Sequence, residues 1–259
     1  MWRSTDLSVF AVDLSTLQLG LLLAMALVAG LARGFSGFGG ALIFVPVASA
    51  VIGPRSAAPL LLIVDAVAAL GLIPDAWRRA GKTEVGTMSL GAMVGVPLGT
   101  YVLARFDALT LRWGIVIVVA SLLALLISGW RYHGRPSAAL TAGVGCLAGF
   151  CSGAAQIGGP PVVAYWLGGA SPSGIVRANV VLYFAASTVL TAASYVAGNL
   201  ITPPIIALAI ASAPVYGVGL LAGACVFGRA SEATFRRICY GLIACAAVVG
   251  LPALDGILR

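Results

Sequence analysis

The sequence predicts an all-α polytopic membrane protein made of two inverted-topology repeats of about five segments each. Three observations support this. Hydrophobic residues make up 61 % of the chain and charged residues 9 %, against about half and about a quarter in soluble domains. Ten apolar segments follow one another with only short polar loops between them. Residues of the first half recur in the second at fixed offsets. With so few charges, a chain of 259 residues cannot clothe a water-facing surface, which excludes a soluble enzyme, a disordered protein and a nucleic-acid binder. Residues 1–259 read as a single transmembrane domain, with repeat 1 over about 16–130 and repeat 2 over about 137–255.

The chain opens with "MWRSTDLSVFAVDLST", which carries Asp6 and Asp13 and no basic residue beyond Arg3. That is unlike a signal peptide, so Leu17 to Leu31 reads as an uncleaved first membrane segment. A span needs about 20 apolar residues, fewer where a helix is broken against protein. The segments of the first half are 16–32, 37–52, 56–76, 85–104 and 110–129. Those of the second are 137–151, 157–170, 174–197, 203–227 and 234–254. The first two segments of each half are short and rich in Gly and Pro. Each such pair reads as two crossings or as one broken or re-entrant element, giving 8–10 transmembrane segments with short Gly/Pro-broken helices at the start of each half.

Charge placement favours the larger count. If all ten segments cross, Lys and Arg divide 10 against 5, with Arg33, Arg78, Arg79, Lys82, Arg131, Arg135, Arg177, Arg229, Arg236 and Arg237 on the richer side. If each short pair is one broken crossing, Arg33 drops out and the division is 7 against 7. The positive-inside rule then places both termini outside the cytoplasm. Trp77, Trp113 and Trp130 fall at segment ends, where amphipathic rings favour the membrane interface. The net charge of +7 reads as a topology signal rather than a nucleic-acid surface.

Little else in the chain suggests chemistry. Cys146, Cys151, Cys225, Cys239 and Cys245 form no CxxC pair and lie in or beside apolar runs, so they read as small core residues. His133, in "RYHGR", is the single histidine and cannot supply a His-rich zinc site. HExxH, GxSxG and Walker A motifs are absent, and "FSGFGG" lacks the strand and acidic residue of a dinucleotide fingerprint. No cofactor, metal or catalytic residue is expected.

The repeat is read from spaced matches. Gly30, Gly34, Phe35, Pro46 and Val47 match Gly145, Gly149, Phe150, Pro161 and Val162 at an offset of 115. Gly95, Gly99, Arg105, Thr110 and Arg112 match Gly219, Gly223, Arg229, Thr234 and Arg236 at an offset of 124. Arg55 pairs with Arg177 at an offset of 122. Five segments per half is an odd number, so the second half enters the membrane from the opposite side, as in many secondary transporters. Such folds hold substrate near the midplane, where Gly/Pro-interrupted segments of the two halves correspond. Here these are Gly34 to Pro46 ("GFSGFGGALIFVP") and Gly149 to Pro161 ("GFCSGAAQIGGPP").

Physical chemistry makes these breaks candidate sites. A break frees backbone groups that protein, water or ligand must satisfy, and glycine lets a ligand approach the main chain. A half-helix starting there presents N–H groups that suit an anion, and Pro160 and Pro161 are compatible with a first helical turn. Close helix packing is the competing explanation for GxxxG spacings at Gly30/Gly34, Gly91/Gly95/Gly99, Gly145/Gly149/Gly153 and Gly219/Gly223. For the "GG" breaks at Gly39/Gly40 and Gly158/Gly159 a ligand-lining role is expected.

Ionisable groups inside the segments are few and informative. An arginine fork suits an oxyanion. Arg177 is the first candidate anion ligand, helped by Gln156 and Asn179, with Arg33 a second. The alternative for either arginine is a topological or lipid-facing role at a helix end. Tyr183 adds a further hydrogen-bonding group near the second break. Asp65, in "LLLIVDAVAAL", is the coupling candidate; it reads as a proton-coupling group, a salt-bridge partner of one of these arginines, or a structural hydrogen-bonding residue.

Two "GFxGxGG…VP"-like motifs, one per half, and "QIGGPPV" followed by "RANVVLYF" resemble the TauE/SafE sulfite-exporter-type permeases from about Leu17 to Leu254. The resemblance implies a bacterial inner-membrane carrier for sulfite, organosulfonates or related small anions. The first half has "FGGALIF" where the second has "IGGPPVV", so the two breaks are not equivalent. The expected activity is secondary transport of a small oxyanion, in the export direction by alternating access, with protons or sodium as the coupling ion. The alternatives are a passive anion channel or pore, or a carrier of another small solute. The expected partners are the small anion and the lipid bilayer, with oligomeric state left open.

Overall fold

The computed structural model describes residues 14–37, 39–132, 137–167, 173–226 and 232–255. Arg3, His133, Arg135, Arg229 and Arg259 lie outside them. The regular elements among the described residues are all helical. They are α1 (Thr16–Ser36), α2 (Gly40–Ile52), α3 (Pro54–Ala69), α4 (Ile73–Arg79), α5 (Lys82–Arg105), α6 (Ala108–Ser128), α7 (Ala138–Ala155), α8 (Gly159–Trp166), α9 (Ser173–Ala197), α10 (Pro203–Val226) and α11 (Glu232–Gly250). Short 3-10 turns cover Leu70–Leu72 and Pro252–Leu254.

Each apolar segment becomes a helix, and the third divides into α3 and α4 with a 71° bend between them. Local chemistry sets the boundaries. Ser15 opens α1 through a capping box with Gln18. Asp107 and Ser137 cap α6 and α7 by accepting hydrogen bonds from the Thr110 and Leu140 amides, filling donors that a helix start leaves unpaired. Gly37, at φ 77°, ends α1 in a left-handed cap, a conformation glycine adopts without the clash a Cβ would bring.

Six helices are long and apolar enough to cross a membrane, or up to seven if the α3–α4 pair counts as one span. The protein is therefore a multi-pass helical membrane protein. The short pair expected at the start of each half resolves into a long helix followed by a short one. The short α2 and α8 have 13 and 8 residues, about 20 and 12 Å of helix against a hydrocarbon layer of about 30 Å. The apolar surface faces outward: Ile117, Val189 and Ile210 are 60, 67 and 70 % exposed, as expected where lipid is the solvent. Trp77, Trp113 and Trp130, at helix ends, are also exposed.

Two helix pairs dominate the packing, α5 with α7 and α1 with α10. Each joins the first helix of one half to the fourth segment of the other. Small residues make both possible. A Cβ added to Gly91, Gly95 or Gly99 would fall on the carbonyl oxygen of Ala142, Cys146 or Phe150, and Gly145 and Gly153 meet Met88 and Val96 in the same way. On the other pair, Gly30 and Gly34 meet the carbonyls of Tyr216 and Leu220, and Gly219 and Gly223 those of Leu27 and Leu31. The GxxxG spacings thus serve close backbone approach. Around these pairs, α2 packs on α1, α3 and α11, while α8 packs on α7, α6 and α9. Asn179 accepts from the Gly81 amide at 2.7 Å and donates to Glu84 at 3.2 Å, tying α9 to the start of α5. Arg112 binds Asp255 through both terminal nitrogens, at 2.5 and 2.8 Å, and the Gly250 carbonyl at 3.2 Å.

Candidate functional site

The two glycine-rich breaks meet in one cavity. Gly39, Gly40, Ala41 and Leu42 line it from the start of α2, and Gln156, Ile157, Gly159 and Pro160 from the α7–α8 junction. Arg33 of α1, Asp65 of α3, Tyr216 of α10, Ser152 of α7 and Phe184, Ser187 and Thr188 of α9 complete its polar and aromatic wall. The cavity encloses about 60 Å³, the scale of a few waters or one small oxyanion.

Backbone geometry explains why the breaks are glycine-rich. Gly39 sits at φ 95° as the N-cap of α2, a region that L side chains rarely adopt. A Cβ on Gly40 would press against the Ala29 carbonyl at 2.7 Å, so α2 starts flush against α1. Its first amides, on Gly40 and Ala41, have no acceptor within the helix and lie at the cavity wall. The second break turns differently. Gln156 takes a left-handed conformation at φ 60°, its amide returns to the Ser152 carbonyl at 2.9 Å and that of Ile157 to Cys151 at 3.2 Å. Here α8 begins Gly159-Pro160-Pro161, and two prolines in the first turn carry no N–H. Both helix N-termini bring the positive end of a dipole to the cavity, but α2 has more free amides to donate. The non-equivalence read from "FGGALIF" and "IGGPPVV" thus has a structural meaning.

The charged centre is an ion pair. Arg33 Nε and Nη2 donate to the two Asp65 carboxylate oxygens at 3.0 and 3.1 Å. Arg33 Nη1 donates to the Gly37 carbonyl. Tyr216 donates its hydroxyl proton to Asp65 Oδ1 at 2.6 Å, and the guanidinium carbon lies 5.6 Å from the Phe184 ring centroid, within cation–π range. Both charged side chains are partly accessible, Arg33 at 16 % and Asp65 at 30 %. A bidentate fork of this kind is the geometry an arginine also uses for an oxyanion.

Among the residues singled out from sequence, Arg33, Gly39, Gly40, Asp65, Gln156, Gly159 and Pro160 come together here. Gly158 does not line the cavity; a Cβ there would meet Ser152 Oγ and the Ala148 carbonyl, so the residue packs against α7. Arg177 is exposed near the start of α9, and Asn179 is fully buried in its tie to Gly81 and Glu84. Tyr183 is fully buried and donates to the Gly145 carbonyl at 3.3 Å. Tyr216, Phe184, Ser152, Ser187 and Thr188 were not anticipated; their signal was polarity or aromaticity inside apolar runs, as in "AAST" and "APVYG".

A multi-pass helical protein with two short helices starting at a charged internal cavity has the build of a membrane transport protein. The family model Sulfite exporter TauE/SafE matches residues 22–249. The chain belongs to that family, a family of membrane transporters. No curated protein and no solved structure matches the chain.

Proposed function

We propose that this protein is a secondary transporter of small oxyanions in the bacterial inner membrane, exporting sulfite, organosulfonates or related anions by alternating access. The observation that carries this reading is the cavity in which two glycine breaks enclose an arginine fork. The amides at the start of α2 and the hydroxyls of Ser187 and Thr188 supply neutral donors around it, and small oxyanions need several such donors at once. The first half brings the cation and the α2 amides, and the second half the hydroxyls of Ser187 and Thr188. Family membership supports the choice of sulfur oxyanions among small anions.

The test uses the full chain in proteoliposomes, with labelled sulfite and methanesulfonate. Saturable, counterflow-competent transport that sulfite inhibits and equal-sized carboxylates do not is the expected result. Non-saturable flux without counterflow would favour a pore. Transport of neutral solutes with no anion competition would remove the oxyanion assignment.

A further inference from the structure

We propose that Asp65 takes up a proton when the cavity receives its anion, so that one proton travels with each anion and export runs down the anion's own concentration gradient. This rests on the oxyanion reading above. As it stands, the cavity's charged centre is neutral overall: Arg33 directs Nε and Nη2 to Asp65 and Nη1 to the Gly37 carbonyl. The edge of the fork best suited to an oxyanion is therefore occupied by a carboxylate. An incoming anion would meet that carboxylate's negative charge in surroundings less polar than water, where repulsion is strong.

Protonation removes the conflict. A proton from water adds to an Asp65 carboxylate oxygen and an O–H bond forms. The two charge-assisted hydrogen bonds from Arg33 weaken, and the anion's oxygens accept them instead. No covalent bond of the anion changes. On release the O–H bond breaks, the proton returns to water and the ion pair re-forms. A monoanion and a proton together leave the charge of the site unchanged.

The surroundings fit this exchange. Asp65 is 30 % exposed, so a proton from the cavity can reach it. Tyr216 donates to Oδ1 from α10, which holds the side chain in place when Arg33 turns to the anion. Arg33 and Tyr216 are the ionisable groups facing this carboxylate among the described residues. Neighbouring α2 carries no titratable residue. On α9, the Tyr183 and Tyr195 hydroxyls are bound to carbonyls of α7, and Arg177 is exposed away from the cavity wall. Cys146 and Cys151 of α7 do not line the cavity. Arg105 of α5 lies over Tyr101, and Arg112 of α6 is bound to Asp255. Arg55, at the start of α3 itself, is bound to the Leu103 and Phe106 carbonyls.

The experiment is calorimetric titration of the purified full chain with methanesulfonate, which stays fully ionised and so brings no proton of its own. Paired buffers of different ionisation heat report the protons taken up. The wild type is expected to take up about one proton per anion, with affinity falling about tenfold per pH unit on the alkaline limb. Asp65→Asn is expected to bind with pH-independent affinity and no proton uptake. Tyr216→Phe, which removes one hydrogen bond from the carboxylate and keeps the ring, is expected to retain uptake of about one proton per anion with a displaced pH profile. It serves as the test where Asp65→Asn does not fold. Methanesulfonate binding with no proton uptake and no pH dependence in the wild type would overturn the coupling and leave the anion site standing. Failure of methanesulfonate, sulfite and sulfate to bind at any pH would overturn both.

Discussion

Arg33 and Asp65 lie 32 positions apart on different helices, yet they meet as a two-point pair at 3.0 and 3.1 Å at the edge of the cavity. The pair fixes the orientation of the guanidinium beside the first glycine break. Replacing Arg33 removes the cavity's cation and leaves Asp65 with the Tyr216 hydroxyl as its hydrogen-bond partner among the described residues. Arg33→Ala is therefore expected to abolish sulfite-induced thermal stabilisation in detergent. Arg33→Lys keeps a charge without the planar fork and is expected to weaken binding at least tenfold, about 1.4 kcal/mol.

The glycine seams give a contrast within one helix. Gly149 on α7 faces Ala92, where an added Cβ would come within 2.8 Å of the Ala92 Cα. Gly143 on the same helix has open space around it. Gly149→Ala is expected to destabilise by about 1–3 kcal/mol through overpacking. Gly143→Ala is expected to be neutral or to stabilise by about 0.5–1 kcal/mol through helix propensity. Unfolding of both variants in detergent checks the pair.

Arg112 is 7 % exposed and holds Asp255 and the Gly250 carbonyl together. Arg112→Ala is expected to cost about 2 kcal/mol, the scale of hydrogen bonds to a charged group discounted because Asp255 is partly exposed. The checking measurement is again unfolding in detergent. Asp255→Asn keeps one acceptor as a neutral amide oxygen and sets an NH2 donor against the other guanidinium nitrogen, so it is expected to destabilise as well.

The cap at Asp107 makes a pH-dependent contribution. Its carboxylate accepts from the Thr110 side chain and amide, which holds its pKa below the ordinary 3.8. A lowered native value means that the charged form favours folding. The contribution is present in full above that ordinary value and is lost as pH falls through the lower native one. The stability difference between wild type and Asp107→Ala, followed by unfolding across acidic pH, is expected to shrink in that direction.

Arg177 shows what the sequence leaves open. It lies seven positions before Phe184, about 10 Å along the helix axis, and Phe184 is the first α9 residue on the cavity wall. Depth, rather than residue type, separates it from the site, so Arg177→Ala is expected to keep sulfite binding within about twofold. The measurement is the same thermal shift.

Much of the architecture was legible because apolar runs and glycine breaks are local features. The ten segments appear as helices, and Gly39, Gly40, Gly159 and Pro160 meet at one cavity. Asp65 was also legible as a partner for an arginine, because a charge inside a membrane segment needs one. Which arginine it takes depends on how α1, α3 and α10 cross, and no single segment records that. Tyr216, Ser187 and Thr188 escaped notice for a related reason. Tyr216 comes from α10, which is apolar all round and marks no face as the inner one, and Ser187 and Thr188 are small uncharged residues among several hydroxyls along α9. Asn179 looked like a ligand because its amide offers donors and acceptors, but its groups are taken up by Gly81 and Glu84.

The two glycine seams decide which parts of the molecule can move. Each seam joins a helix of the first half to a helix of the second, with carbonyl oxygens where side chains would otherwise stand. A slide of one residue would drive Cβ atoms into backbone, so each seam behaves as a rigid strut. Mechanically the chain is two cross-braced struts, α1 with α10 and α5 with α7, and not a front half and a back half. The struts are linked chiefly through α3 and α9, which touch each other and reach α10 and α5 respectively. Movement of one strut against the other would flex at α3 and α9, so the Asp65 carboxylate and the Ser187–Thr188 hydroxyls stand on the linking helices while Arg33 stands on a strut.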